Sequence, residues 1–227
     1  MAEEGGFYAN MSRIIIRKYQ NPDCKDVLKI CYKTGYMGND LESTGKFDDM
    51  KLFGYFFCMY YLLYERDHCF VAVDKDNNCK VVGYIIGTLD TNIQIRLFIK
   101  KMLIRIGLRI LYTIWKYPDT FKNIMNMLKN RTRKYTPKSL YCDYPAHFHI
   151  NLLPEYQGMG IGMLLLTEFE VHVKGSAGKG IHLKTSNKNY NAIKFYEKNG
   201  YVKLLEFTDI LWVGIENYKT VIFTKKL

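Results

Sequence analysis

The sequence predicts an α/β protein with a mixed β-sheet flanked by helices, and three observations support this fold class. Short β-branched or apolar runs of strand length occur near both ends of the chain. Longer runs between them repeat apolar residues at helical spacing. The two kinds of run follow the order β-α-α-β-β, a helical insertion, and then β-α-β-α-β-β. Such an order is typical of a sheet with helices on its faces.

The first half of the chain predicts one strand, two helices and a hairpin. Asn21-Pro22-Asp23 supplies a cap and an early proline for the first helix. The turn cluster Asp76-Asn77-Asn78 separates two apolar β-type runs, which predicts a hairpin. The expected elements are a strand over residues 12–19, a helix from residue 21, an aromatic-rich buried helix over residues 50–64, and hairpin strands over residues 70–73 and 80–87.

The second half predicts four strands and two helices. Pro154 closes the first of these strands, and Gly200 ends the last helix as a C′ residue. The expected elements are strands over residues 146–154, 181–185, 204–210 and 219–224, and helices over residues 163–173 and 189–199.

The positive charge is concentrated in one segment. The chain has 227 residues and a net charge of +11, and residues 91–140 hold twelve Lys or Arg against the single acid Asp119. The rest of the chain is therefore balanced, which indicates a neutral domain that carries a basic insertion. We expect one domain over residues 1–227, with a core of residues 10–90 and 141–227 and a helical insertion between the third and fourth strands.

The insertion predicts a basic amphipathic helix over about residues 97–115, in which Lys101, Arg105 and Arg109 recur every four residues. Its charges argue against a membrane span. We expect a wall over the neighbouring cleft, and docking on a membrane surface remains an alternative. A nucleic-acid partner is not expected, since few aromatic residues accompany the charges. The expected apolar stripe consists of Leu103, Ile106, Ile110 and Ile114.

The composition excludes several classes of protein. With 48% hydrophobic and 24% charged residues, the chain is neither disordered nor collagen-like. The six cysteines form no CxxC pair, which excludes a zinc ribbon and a thioredoxin motif and favours free thiols in a reducing cytoplasm. The first residues predict no secretory signal. His147, His149 and His182 lack a local carboxylate pattern, so we expect no metal site.

A glycine-rich loop, Gln157-Gly158-Met159-Gly160-Ile161-Gly162, lies between a predicted strand and a predicted helix. Glycines and a helix N-terminus together suit a pyrophosphate. A dinucleotide fingerprint would need glycine at Met163, and a P-loop would need Ser or Thr at Gly180. Both of these nucleotide motifs are therefore excluded.

The pattern Q-x-x-G-x-G, within residues 152–162, resembles the coenzyme A pyrophosphate loop of the GNAT superfamily of acetyl-CoA-dependent N-acyltransferases. Residues 189–201 resemble the second signature of that family, and the specific match covers about residues 146–201. The resemblance implies the GNAT fold and direct acetyl transfer from acetyl-CoA to a primary amine in a ternary complex. The acceptor would be a small-molecule or peptide amine, and homodimers are frequent in the family.

The resemblance also implies roles for individual residues. Main-chain groups of Leu152 and Leu153 would pair with the pantetheine arm, and the Leu152 amide would face the developing oxyanion. Asn189 would hydrogen-bond the same arm, and Tyr196 would protonate the departing thiolate. The pyrophosphate would be held by the main-chain amides of Gln157, Gly158, Met159, Gly160, Ile161 and Gly162.

The general base is not fixed by the resemblance. His147 and His149 share one face of a predicted strand, and a histidine can take a proton from an ammonium group. Glu155 beside the loop is a weaker candidate. The alternative function is a non-catalytic acetyltransferase-like module that binds coenzyme A as a sensor or scaffold. Similar modules, with an aspartate expected at the position of Asn151, occur beside O-GlcNAc hydrolases.

Overall fold

The centre of the described structure is a seven-stranded mixed β-sheet. The computed structural model describes residues 13–129, 137, 139–208 and 215–227. The strands are β1 (Ile14–Lys18), β2 (Cys69–Asp74), β3 (Lys80–Thr88), β4 (Ala146–Leu152), β5 (Gly180–Ser186), β6 (Val202–Thr208) and β7 (Lys219–Lys226). Their order across the sheet is β1-β2-β3-β4-β5-β7-β6. Of the described pairings, β4 with β5 is parallel and the others are antiparallel.

Helices connect and cover these strands. They are α1 (Cys24–Lys33), α2 (Met50–Phe57), α3 (Met59–Tyr64), α4 (Thr91–Lys116), α5 (Pro118–Lys129), α6 (Leu140–Asp143), α7 (Ile161–Gly175) and α8 (Tyr190–Lys198). The predicted fold class is confirmed, including the helical insertion between the third and fourth strands, which holds α4 and α5.

The two faces of β4 carry different helices, because side chains alternate along a strand. Phe148 packs against Phe169 of α7, with ring centroids 5.5 Å apart. His147 and His149 point to the opposite face, where both contact Tyr61 of α3. The sheet is therefore covered by α7 on one face and by α3 on the other.

The helix predicted over residues 50–64 is two helices in the structure. Cys58 has φ −131° and ψ −36°, outside the helical region, and its amide donates to the Gly54 carbonyl at the end of α2. The apolar side chains of this run do not keep to one helical face. A change of direction at Cys58 lets α2 and α3 bury different sets of them.

The helix of the insertion begins at Thr91, six residues before the predicted start. The Asp90 carboxylate accepts hydrogen bonds from the amides of Asn92 and Ile93 and so caps α4. Farther along, Arg109 forms an ion pair with the buried Asp49, with Nε 2.8 Å from Oδ2. This pair attaches α4 to the N-terminus of α2.

The apolar stripe predicted for α4 is wrong in part. Ile106 is buried, but Leu103 and Ile114 are exposed. The predicted residues do recur with the helical period, but the side of α4 that is buried is the one that meets α2 and α3. The buried positions of α4 are Thr91, Gln94, Met102, Ile106 and Thr113. Four basic residues of the insertion lie outside the described residues, and they are Arg131, Arg133, Lys134 and Lys138.

The last β pair forms one end of the sheet. β7 pairs with β5 and β6, which leaves β6 as the outer strand. Val202 and Leu204 on β6 are exposed. Residues 209 and 210 of the predicted strand lie outside the described residues. A homodimer formed through this edge stays a prediction.

Candidate active site

A gap opens between β4 and β5. Parallel pairing between them is confined to Ala146 with Ile181 and His147 with His182. Beyond these pairs β4 continues along β3 and β5 continues along β7. The two strands therefore diverge, and one edge of the second half of β4 faces the opening.

The hydrogen-bonding alternation of β4 shows which groups face this opening. The Leu153 amide donates to the Val82 carbonyl at 2.9 Å, so its main-chain groups point towards β3. Successive residues of a strand point their amides to opposite sides. The main-chain groups of Leu152 and Ile150 therefore point into the gap. The Leu152 carbonyl accepts from the Gln157 side chain at 3.1 Å, which leaves the Leu152 amide directed at the opening.

The glycine-rich loop ends at the N-terminus of α7. Gly158 and Gly160 have φ of +77° and +79°, a region that disfavours residues with a Cβ atom. The Gln157 amide donates to the Pro154 carbonyl at 3.2 Å. Within the described part of the chain, no residue accepts a hydrogen bond from the amides of residues 158–162. These free amides and the positive end of the helix dipole together are suited to an anion.

Buried contacts fix the position of this loop. The Tyr156 hydroxyl donates to the buried Asp74 carboxylate at 2.9 Å and accepts from Asn77 at 3.2 Å. The Gln157 side chain ties the loop to the end of β4. Because the loop is anchored to the β2–β3 hairpin and to β4, its free amides are held in place beside the gap.

Tyr196 lies on the α7 side of the sheet. Its ring contacts Phe148 of β4, Phe223 of β7 and Tyr201, with centroids about 6 Å apart. Burial raises the pKa of the Tyr196 phenol above its ordinary value. The side chain is therefore neutral at working pH and able to donate a hydrogen bond.

A cluster of hydrogen-bonded side chains occupies the other face of β4. The Tyr61 hydroxyl lies 2.7 Å from Nε2 of His147 and 3.3 Å from Nε2 of His149. Thr91 Oγ1 lies 2.6 Å from Nδ1 of His147 and donates to the Pro145 carbonyl at 2.7 Å. The predicted histidine pair is thus bridged by a tyrosine and fixed by the first residue of α4.

The hydrogen bonds assign the protons of His147. Since the Thr91 hydroxyl donates to Pro145, it accepts from Nδ1–H of His147. Nε2 is then the acceptor of the Tyr61 hydroxyl proton. His149 in turn donates its Nε2–H to the Tyr61 oxygen. A continuous chain of hydrogen bonds therefore runs from His149 through Tyr61, His147 and Thr91 to Pro145.

Burial keeps these histidines neutral. It lowers the pKa of His149 from 6.5 to about 4. The pKa of His147 falls well below 6.5 through burial and through the neighbouring His182, His149 and Lys184. The pKa of His182 also falls to about 4, mainly through burial. Each ring is therefore neutral at neutral pH and binds a proton less readily than a free imidazole.

The structure separates the predicted acid from the predicted base. Tyr196 and the histidines lie on opposite faces of β4, on the two sides of the gap through the sheet.

The two other predicted polar residues lie apart from these groups. Asn189 caps α8, where its Oδ1 accepts a hydrogen bond from the Ala192 amide at 3.2 Å. This leaves the Nδ2 group of Asn189, which lies beside Gly38, for a ligand. Glu155 is exposed and lies 3.9 Å from Lys80.

Sequence reasoning missed Tyr61 and Thr91. Tyr61 lies in an aromatic-rich run with no polar signal of its own, and Thr91 lies before the predicted start of α4. His182 was considered only as a metal ligand, but its Nδ1 bonds the Tyr144 carbonyl at 2.7 Å. In the part of the chain that the structure describes, no three His, Cys, Asp or Glu side chains are grouped as metal ligands.

A separate cavity of about 300 Å³ lies beneath α1. It reaches Leu153 and Glu155 beside the loop but neither the histidines nor Tyr196. Its lining mixes both signs of charge and consists of Asp26, Lys29, Ile30, Lys33, Asp40, Lys80, Val81, Leu153, Pro154 and Glu155. The gap between β4 and β5, which carries the free amides, is the better candidate for chemistry.

Comparisons with known proteins agree with this fold. A family model described as an acetyltransferase (GNAT) domain matches residues 134–203, which include the loop and Tyr196. A solved structure titled SsHAT is 23% identical, covers 94% of this chain and 98% of its own, and has a TM-score of 0.67. An N-acetyltransferase from Staphylococcus aureus Mu50 has 12% identity, the same coverages and a TM-score of 0.56. Ard1 from Thermoplasma volcanium has 14% identity, coverages of 95% and 98%, and a TM-score of 0.54.

Proposed function

We propose that this chain, in which residues 134–203 match the acetyltransferase (GNAT) domain model and whose fold is shared with solved acetyltransferases, is a GNAT enzyme that transfers an acetyl group from acetyl-CoA to a primary amine. The observation that carries the proposal is the row of free amides at residues 158–162, which opens beside the diverging edge of β4. An anion site joined to an unpaired strand edge suits a ligand with a pyrophosphate and an amide-containing arm.

The residues present fit acetyl-CoA. The amides of residues 158–162 would hold its pyrophosphate, and Gly158 has no atom within 4 Å of the place where a Cβ would stand. The main-chain groups of Ile150 and Leu152 would pair with the pantetheine arm as an added strand. The amides of Leu153 and Gln157 are engaged internally, so these two residues would support the site through their position.

The thioester supplies an acyl carbon that is open to attack by a nucleophile. In the reaction the amine nitrogen forms a bond to this carbon and the carbon–sulfur bond breaks. The Leu152 amide, directed into the gap, would stabilise the negative charge on the carbonyl oxygen. Tyr196 would donate its phenolic proton or a hydrogen bond to the leaving sulfur, because burial keeps the phenol protonated.

The proton that the amine loses would pass to the histidines on the other face of β4. His147 and His149 are neutral and hydrogen-bonded through Tyr61, so a proton taken up at one ring is shared along the chain. No covalent intermediate with the protein is needed. The acceptor remains a small-molecule or peptide amine, and Thr91 of α4 would hold the His147 ring in place.

The experiment measures coenzyme A binding and thiol release separately. The protein is titrated with acetyl-CoA by calorimetry and then assayed for free thiol against a panel of primary amines. Tyr196→Phe should lower kcat by about ten-fold or more with nearly unchanged coenzyme affinity. Tyr201→Phe is the matched control, since Tyr201 shares the aromatic cluster but bonds Glu170.

The outcomes separate the candidate functions. Thiol release that depends on an amine supports the enzyme. Coenzyme binding without release for every amine would favour the sensor or scaffold module. Absence of coenzyme binding in a folded sample would overturn both. Equal effects of Tyr196→Phe and Tyr201→Phe would remove Tyr196 from the acid role.

A further inference from the structure

The outer face of α4 carries a row of exposed apolar side chains. Ile104, Leu108, Leu111 and Trp115 are 72%, 65%, 59% and 87% exposed. Their spacing of four, three and four residues places them on one side of the helix. We call these four residues the outer stripe. It lies opposite the buried positions of α4, so the packing of the described residues does not account for it.

The same helix is strongly basic. Residues 91–116 include six Lys or Arg and no acid. Arg109 pairs with Asp49 and is used to attach the helix. The other five are exposed, and they are Arg96, Lys100, Lys101, Arg105 and Lys116. The outer stripe is therefore bordered by positive charge that lacks neutralising acids on its own helix.

This combination suits an anionic lipid surface. A helix in the plane of a bilayer buries its apolar side chains below the headgroups, while Lys and Arg reach the lipid phosphates. Trp115 and Tyr112 have the amphipathic rings that favour this interfacial depth. Among the described residues, no helix combines the length and the apolar character that a membrane crossing requires. The helix fits a position on the membrane surface.

We propose that the outer stripe and its lysines and arginines dock this protein on a bilayer containing anionic lipids. A second copy of the same face is a poorer partner, because two basic helices side by side repel. The outer stripe begins 13 residues after Thr91, about 20 Å along the helix from the candidate active site. Docking therefore leaves the gap between β4 and β5 open, and this inference does not depend on the proposed function.

The test uses the full chain and vesicles of stated composition. Sedimentation is measured with vesicles of phosphatidylcholine alone and of phosphatidylcholine with phosphatidylserine. We expect the protein to sediment with the vesicles that contain phosphatidylserine and not with those of phosphatidylcholine alone. The fraction of protein that sediments with these vesicles should fall as salt is raised from about 0.1 M to about 1 M, because the screening length shortens from about 10 Å to about 3 Å. Binding that is equal for both vesicles, or absent, would overturn the proposal.

Paired variants locate the contact. Leu108→Ser with Trp115→Ser should weaken vesicle binding by about ten-fold or more. Val171→Ser with Val202→Ser removes comparably exposed apolar side chains elsewhere and should have no effect. Likewise, Lys100→Gln with Lys101→Gln should weaken binding. Lys174→Gln with Lys198→Gln, a matched loss of charge on α7 and α8, should not.

Fluorescence and light scattering complete the test. Trp115 emission should shift to the blue on anionic vesicles in a Trp212→Phe background, which removes the other tryptophan. Trp212 lies outside the described residues. If the Leu108→Ser/Trp115→Ser variant instead abolished a dimer seen by light scattering, and vesicles did not bind, a second copy would be the occupant and the proposal would fail.

Discussion

The Tyr61 hydroxyl bridges His147 and His149, at 2.7 Å from one Nε2 atom and 3.3 Å from the other. A phenol from α3 thus joins the two histidines that β4 presents on one face. Its hydroxyl proton goes to His147, and it receives the proton of His149. Under the proposed function the bridge would give Tyr61 a positioning role in proton transfer, and removal of its hydroxyl oxygen tests this role.

Tyr61→Phe removes that oxygen and keeps the ring. We expect kcat to fall by about ten-fold to a hundred-fold with the best acceptor, and coenzyme affinity to stay unchanged. The acid limb of the kcat profile should also move, because the histidines lose their shared partner. Steady-state kinetics as a function of pH and calorimetry measure the two effects.

Tyr60→Phe is the control for this variant. Tyr60 is the neighbouring buried tyrosine, and its hydroxyl donates to Glu65 at 3.2 Å. It should leave both the rate and its pH profile near those of the unaltered protein. If Tyr61→Phe matched Tyr60→Phe in rate and profile, the bridge would have no part in proton transfer.

The neutral histidines also predict how stability depends on pH. The pKa of His149 is about 4 in the folded protein and about 6.5 in the unfolded chain. The unfolded state therefore binds the proton first as pH falls. The free energy of unfolding should decrease between about pH 6.5 and about pH 4 and be unaffected by this group above that range.

Urea unfolding at a series of pH values measures this effect. One histidine contributes at most about 1.4 kcal/mol per pH unit, and less here because the ring is partly exposed. His149→Gln should flatten the dependence without changing its sign, since His147 and His182 have lowered pKa values too. An unchanged slope in His149→Gln would contradict the assigned burial.

The ion pair between Asp49 and Arg109 predicts a large effect on stability. Asp49 is buried, caps α2 by accepting from the Leu52 amide, and accepts from Arg109 and Thr113 of α4. Burial alone would raise the pKa of Asp49, but these hydrogen bonds hold it below its ordinary value. Asp49→Ala should cost about 3 kcal/mol in unfolding free energy, because it leaves a partly buried cation unpaired.

A more exposed ion pair provides the comparison. Glu206 pairs with Lys203 and Lys219 on the outer strands. Glu206→Gln should cost less than about 1 kcal/mol, because surface pairs contribute little. Chemical denaturation of the two variants measures the difference. A loss for Asp49→Ala no larger than that for Glu206→Gln would show that α4 is held mainly by its apolar contacts.

Local signals explain what the sequence could predict. Some local sequence patterns favour one backbone conformation without help from the rest of the chain. They are the β-branched runs, the turn at Asp76 to Asn78 and the glycines after Pro154. The types of the strands and helices and the loop at residues 157–162 were therefore predictable. The break at Cys58 was not, because its cause is the packing of α2 and α3 on different parts of the core. Asp90 is a residue type that often caps helices, but the predicted helix began only at about residue 97.

The assembly of the site depends on tertiary contacts. His147 and His149 share a face by strand periodicity alone, but Tyr61 reaches them from 86 residues away along the chain. The separation of Tyr196 from the histidines across β4 likewise follows from where α8 packs. The exposure of Leu103 and Ile114 on α4 shows the same limit. The helical period identifies the residues that share one side of the helix, but the elements packed against the helix determine whether that side is buried.

The loop amides predict a sharp contrast between two glycines. Gly158 and Gly45 both have positive φ, +77° and +59°, and both have open space where a Cβ would stand. Replacement by glutamate adds the same backbone strain, roughly 1 kcal/mol, and the same charge at each position. Of the two, Gly158 lies in the proposed anion site and Gly45 does not.

Gly158→Glu should therefore weaken coenzyme A binding by about a hundred-fold or more, because a carboxylate beside the free amides repels the pyrophosphate and competes for them. Gly45→Glu should bind coenzyme A like the unaltered protein, while its melting temperature falls by a similar amount. Calorimetric titration and thermal unfolding of the two variants measure both quantities. If they bound coenzyme A equally well, the amides of residues 158–162 would not hold the pyrophosphate, and the ligand would have to enter the gap from another side.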